Sequence, residues 1–251
     1  MTKTIIKLKN SPVAQGSLLP RLLLALMCWS AVSAGAQVLE AEQLVAKTTD
    51  QVLDLIDEAK DYVDEDPERF YQAVEGLLSP VIDFPRFARS VMAAHYRDAS
   101  PEQRERFTDG FKWSLVRTYA LALTEFNDGN VVIIPSDRPP RQPDRASVKQ
   151  EIRSGGEVYP VVYSLAKSDG QWRVLNIIIN GINMGLTYRN QFASAMQDPQ
   201  YGGNLDRTID GWIASLGSKS ATGEAADEVG QAVQTATDGD PEPVAVGDDS
   251  A

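Results

Sequence analysis

The sequence has 251 residues, a formal net charge of −11, one cysteine and one histidine. The length is ample for one or two domains with a buried core, and 43% apolar residues is ordinary for a globular chain. So acidic a chain is a poor partner for nucleic acid, whose phosphates need clustered Lys and Arg; one cysteine makes no internal disulfide, and one histidine leaves little for a His-rich metal centre or a Ser-His-Asp triad.

Residues 1–36 read as a cleaved secretory signal. Lys3, Lys7, Lys9 and Arg21 form a basic region without an acid, residues 22–32 are a short apolar run, and Ala34-Gly35-Ala36 supplies small residues before a cut. The run is too short for a membrane span, which needs about 20 residues. Cys28 lies inside it behind Met27, where a lipoprotein signal needs a small residue, and is expected to leave with the signal.

Residues 38–63 place Ala41, Leu44, Val45, Val52, Leu55, Ile56, Ala59 and Val63 at helical spacing. Asp66-Pro67 caps and opens a second helix with the stripe Phe70, Val74, Leu77 and Leu78. Pro80 and Pro85 bracket a break, and a short helix with Phe87, Val91 and Met92 follows. Asp83 there is expected to cap a helix. Ser100-Pro101-Glu102-Gln103 opens a helix expected to reach about Phe126, with Phe107, Phe111, Leu115, Tyr119, Ala122 and Phe126 on one face.

After Asn127-Asp128-Gly129 the period changes to two. Strands are expected over 131–134, 146–153, 158–167 and 171–182. Val148, Gln150 and Ile152 share one face; Tyr159, Val161, Tyr163 and Leu165 share another. The turns Ser154-Gly155-Gly156 and Ser168-Asp169-Gly170 are short, which implies an antiparallel meander. Ile177-Ile178-Ile179 is apolar on both faces, so that strand is expected to be covered on both sides, or on one by a ligand. Pro160 lacks an N–H and is expected at an edge or bulge. Two helices close the body: 184–196 with Leu186, Phe192, Ala193 and Met196, and 205–216 with Leu205, Ile209, Trp212, Ile213 and Leu216.

The expected fold class is α+β: N-terminal helices, then a curved antiparallel sheet of about four strands with helices packed on it. Residues 217–251 carry one Lys and eight acids and no aromatic residue, too little apolar surface to offset ordering entropy, and are expected to be a disordered acidic tail.

The chemistry-bearing motifs are sparse. No Gly-x-Ser-x-Gly elbow occurs. His95 stands alone before a helix start, and Asp64-Glu65-Asp66 lacks the ligand alternation and central Gly of a calcium loop. The main positive cluster is Arg138, Arg141 and Arg145 with Lys149 and Arg153 on the next strand: either a solvated loop, or a seat for phosphate head groups or an acidic partner.

The segment Asn176-Ile177-Ile178-Ile179-Asn180-Gly181-Ile182-Asn183-Met184, followed by Tyr188-Arg189-Asn190-Gln191-Phe192, resembles the signature of the MlaC family of periplasmic phospholipid-binding, toluene-tolerance proteins. Pro80-Val81-Ile82-Asp83-Phe84-Pro85-Arg86-Phe87-Ala88, the helix with Phe107, Phe111 and Leu115, and the closing helix behind Gly202-Gly203 are similar too. The resemblance spans residues 38–216 and omits the acidic tail. It implies a monomeric, non-enzymatic carrier of glycerophospholipid, with no cofactor beyond the lipid cargo. The carrier would exchange lipid with an outer-membrane MlaA–porin complex and with an inner-membrane Mla ABC transporter bearing the MlaD ring. Acyl chains need an apolar cavity, and Val91, Phe111, Leu115, Tyr119, Val161, Tyr163, Leu165, Val174, Ile177 and Ile179 are the expected lining. Two other classes compete. One is a small enzyme on a nuclear-transport-factor-like cone, which needs Asp83 or His95 to share a cavity with a Tyr. The other is a filled adaptor that recruits partners through its tail or basic loop.

Residues 1–36 contribute +4, residues 37–216 contribute −8 from 19 Lys/Arg and 27 Asp/Glu, and the tail −7. Without the signal the chain is at −15, which disfavours adsorption to anionic membranes.

Overall fold

The structure, a computed structural model, describes the backbone of residues 19–124, 130–136, 142–154 and 156–222, and the side chains of 37–121, 130–136, 142–153 and 156–217. Helix α1 (Leu19–Ala59) is continuous from the apolar run into the packed body, and ends four residues before the expected Val63. Ala41, Val45, Ile56 and Ala59 are its buried positions. Among the described residues no helix is long and apolar enough to cross a membrane.

Local chemistry sets three of the next four helix starts. Asp66 caps α2 (Pro67–Leu78) by accepting from the Arg69 N–H at 3.2 Å, with Pro67 in the first turn. Asp83 caps α3 (Phe84–Met92) in the same way through the Arg86 N–H at 3.0 Å, which commits the expected carboxylate to a structural bond. The short α4 (His95–Asp98) follows. At α5 (Pro101–Thr124) the capping box is reciprocal: the Gln103 N–H donates to Ser100 Oγ at 3.2 Å, and the Ser100 N–H to Gln103 Oε1 at 2.8 Å. Ala122 and Phe126 of the expected stripe lie outside the residues whose side chains are described.

The sheet has five strands rather than about four, antiparallel in chain order: β1 (Asn130–Ile134), β2 (Arg145–Ser154), β3 (Glu157–Ser168), β4 (Gln171–Ile179) and β5 (Ile182–Asn183). The expected long strand 171–182 stops at Ile179. Asn180 and Gly181 take φ of 48° and 82°, the two left-handed positions of a tight hairpin turn, and Ile182 folds back against Ile179. Pro160 lies in β3, which is internal, yet its oxygen accepts from Asn180 N–H just where β4 turns away. Its missing N–H therefore faces no strand partner, which is why an internal strand tolerates it.

Helices α6 (Met184–Gln197) and α7 (Leu205–Thr222) complete the body; α7 runs six residues past the expected Leu216. In α6 the buried side chains are Met184, Tyr188 and Phe192, four residues apart, whereas Leu186, expected in the stripe, is 52% exposed. Asn183 caps this helix through the Leu186 N–H, which fixes its rotation so that Leu186 faces solvent. A core of Phe87, Val91, Met92, Phe107, Phe111, Tyr188, Phe192, Ile209 and Trp212 joins α3, α5, α6 and α7. Its rings stack or meet edge-on; Phe107 lies parallel to Trp212 at 5.4 Å.

Candidate functional site: a partly covered apolar sheet face

Strand register decides which side chains share the helix-facing side of the sheet. Val148 stands opposite Tyr163, Gln150 opposite Val161 and Ala146 opposite Leu165, so the two expected faces on β2 and β3 are one face. On β4 a bulge at Leu175 interrupts the alternation: Ser164 pairs with Asn176 but Leu165 pairs with Val174. The extra residue puts Val174 and Ile177, three apart in sequence, on the same side. Ile177 and Ile179 pair with Tyr163 and Val161.

Helices fill this face unevenly. At one end Ala41 and Val45 of α1 pack with Ala146, Val148, Leu165, Trp172 and Val174 into a closed core. Glu40 anchors that contact, accepting from Lys167 Nζ at 2.9 Å and Trp172 Nε1 at 3.3 Å; those two bonds lower its pKa below the ordinary value. Toward β5 the sheet meets the aromatic core of the helices. There Ile177, Ile179 and Ile182 from the strands and Leu115 and Tyr119 from α5 pack against the core while remaining only half-buried. Ile177 touches both cores. Val131, Ile133, Ile152 and Tyr159 on the same face are half-buried as well.

The expected lining residues therefore separate. Val91 and Phe111 sit fully inside the aromatic core; Leu165 and Val174 sit under α1, and Val161 is buried on β3. Leu115, Tyr119, Ile177 and Ile179 are half-buried, each packed against the aromatic core, and half-buried Tyr163 packs with the core under α1.

Two polar features interrupt the apolar surface. Gln150 is 2% exposed; its Oε1 accepts from the Tyr163 hydroxyl at 2.7 Å, and its Nε2 donates to Thr49 Oγ1 of α1 at 2.7 Å. Burial pushes the Tyr163 hydroxyl up to about 12, so it stays a neutral donor. The sequence carries one signal of this bridge from α1 to the sheet, a glutamine alternating with Val148 and Ile152. The second feature is the Tyr119–Tyr188 hydroxyl pair, 2.6 Å apart where α5 meets α6.

The charged candidates lie elsewhere. His95 rests edge-on against Phe192 at 6.2 Å between ring centres. Among the described residues no group of His, Cys, Asp and Glu could hold a metal ion. Lys149 and Arg153 alternate with Val148, Gln150 and Ile152 and so stand on the outer face of the sheet, away from the apolar side. Arg138 and Arg141 fall outside the described residues. A depression of about 520 Å³ between α5 and α7 is lined by Arg106, Asp109, Gly110, Trp113, Asp210, Ile213 and Ala214, and includes none of the expected lining residues.

Together these features define a class: α+β proteins whose single antiparallel sheet is cupped on one face by helices, with apolar side chains left partly covered between the layers. The family described as MlaC protein matches residues 46–214. The toluene tolerance protein ttg2D of Pseudomonas putida is 38% identical over 197 residues, covering 78% of this chain and 89% of that protein. The intermembrane phospholipid transport system binding protein MlaC of Haemophilus influenzae is 22% identical over 145 residues, covering 56% and 67%. The solved structure of a phospholipid-binding protein from Ralstonia solanacearum, in complex with a phospholipid, aligns with a TM-score of 0.65 at 27% identity, covering 72% of this chain and 99% of that one. The chain belongs to the MlaC family.

Proposed function

We propose that this protein is a periplasmic phospholipid carrier of the Mla transport system. The observation that carries the reading is the set Leu115, Tyr119, Ile177 and Ile179: large apolar side chains on two layers of the fold, each left half-covered beside the aromatic core. Acyl chains would complete that burial. At about 0.8 kcal/mol per methylene, a chain of ~14 methylenes contributes on the order of 11 kcal/mol when fully enclosed. The lipid complex of the Ralstonia relative, on the same fold, supports this reading.

Carrying lipid requires binding and release rather than bond making, in keeping with the use of Asp83 as a helix cap. Residues 1–36 would be removed on export, which leaves the packed part of α1, from Ala41 onward, at the start of the mature body. The carrier would work as a monomer between an MlaA–porin complex at the outer membrane and the MlaD ring of the inner-membrane transporter.

The test is organic-solvent extraction of the purified protein with lipid analysis by mass spectrometry. Roughly one glycerophospholipid per protein is expected. A protein that is repeatedly lipid-free and takes up no lipid from vesicles overturns the reading.

A further inference from the structure

The outer face of the sheet is unlike the rest of this acidic molecule. On that side β2 presents Arg145, Ser147, Lys149, Glu151 and Arg153 in turn, three cations and one acid, and Arg173 of β4 stands across Ala166 from Arg145. Arg145, Lys149 and Arg153 are exposed, and of the four cations only Arg153 is in an ion pair with a described residue, Glu151 at 2.7 Å. Beside them on β3 lie Val158, 52% exposed, and the exposed Pro160; Val162, half-buried, pairs with Lys149 on one side and Ile178 on the other. The face is thus a short cationic row bordered by apolar side chains, on a body whose net charge is −8.

The same chain contains a segment with the complementary pattern. Asp238, Asp240 and Glu242 alternate, and Val244 and Val246 continue the alternation; Gly239, Pro241, Pro243 and Ala245 fill the other positions. In an extended backbone all three acids and both valines point to one side. The two prolines disfavour helix there. Spacing agrees as well: Arg145 and Lys149 lie about 14 Å apart along a strand, and Asp238 to Glu242 spans about 13 Å in the same extended conformation. Reach is sufficient. Helix α7 ends at Thr222, and the 16 residues from there to Asp238 span up to ~53 Å. The radius of gyration of a body of 180 residues is only about 16 Å.

We propose that residues 238–246 of this chain dock intramolecularly on the outer face of β2, β3 and β4, with the three acids over Arg145, Lys149 and Arg173 and the two valines over the Val158–Pro160–Val162 stripe. The tail then covers this cationic face and shields it from other anionic surfaces. Tethering favours this occupant, because a linked segment acts at an effective concentration of order millimolar. A second copy would bring another body of net charge −8, which repels the first.

Zero-length carbodiimide cross-linking of the dilute full chain tests this, using an equal mixture of 14N- and 15N-labelled protein. The expected product joins Lys149 to Asp238, Asp240 or Glu242 within one isotopic species, and fades near 1 M salt, where the Debye length falls to about 3 Å. In the variant Asp238→Asn, Asp240→Asn, Glu242→Gln the product is lost, and amine-reactive labelling of Lys149 rises roughly threefold, as for a segment docked about two thirds of the time. Labelling of Lys47, exposed on α1, stays constant. Mixed-isotope products assign the face to a second copy and overturn the proposal. Protection of Lys149 that arises only with phosphatidylglycerol vesicles assigns it to a membrane and overturns it too, as does labelling of Lys149 unchanged by the tail substitutions.

Discussion

Ile179→Asp is expected to strip lipid from the protein without unfolding it. Ile179 ends β4, opposite Val161 and Ile182, and is half-buried against the aromatic core. Full burial of an isoleucine contributes about 1.5–3 kcal/mol, so a half-covered one forfeits roughly 1 kcal/mol on folding when its replacement turns to the open side. A bound acyl chain closes that side. The carboxylate then loses water without gaining a partner, at a cost of several kcal/mol; 4 kcal/mol is about a thousandfold in affinity. Ile179→Val calibrates the scale, because one lost methylene is worth ~0.8 kcal/mol, or about fourfold. Circular dichroism checks folding, and extraction with a fluorescent-lipid displacement titration reads binding. An Ile179→Asp protein that is folded and as fully loaded as the parent refutes the placement of lipid on this face.

Tyr163→Phe removes the donor to buried Gln150 Oε1 and is expected to cost about 1–3 kcal/mol in urea unfolding. The triple variant Tyr163→Phe, Gln150→Leu, Thr49→Val leaves no orphaned polar atom and should recover much of that loss; no recovery would show that the bridge contributes nothing as a unit. Gly110→Ala drives a Cβ into the Ile213 side chain, where α7 packs on α5, and is expected to lower stability by about 1–3 kcal/mol through overpacking, measured as a fall in Tm. Glu75 has its carboxyl held below the ordinary value by hydrogen bonds from Lys112 and Ser79, chiefly Lys112 Nζ at 2.8 Å. A carboxyl lowered on folding stabilises above its unfolded pKa of about 4.3 and loses that contribution as pH falls through the folded value. Lys112→Met should therefore reduce stability at pH 7 and converge with the parent toward pH 3; a difference that persists at pH 3 would rule out the ion pair as its origin.

What the sequence determined by itself are the features whose partners lie within a few residues. Asp66, Asp83 and Ser100 cap the helices expected of them because a cap is a bond across three positions. Strand alternation likewise fixed Val148, Gln150 and Ile152 to one face. The Asn180-Gly181 turn was equally local, but the apolar run Ile177-Ile178-Ile179 before it reads as a strand that continues, and masks the dipeptide that ends it. Tertiary structure alone decided the rest. The bulge at Leu175 that aligns Val174 with Ile177 follows from register against β3, and the rotation of α6 that buries Tyr188 instead of Leu186 follows from its fit to the aromatic core. The Thr49–Gln150–Tyr163 bridge joins residues 101 apart in sequence. Periodicity gives Phe111 and Leu115 the same apolar stripe. Only the packing of α7 and α6 around α5 closes the first and leaves the second half-open, because burial is a property of neighbours brought from elsewhere in the chain.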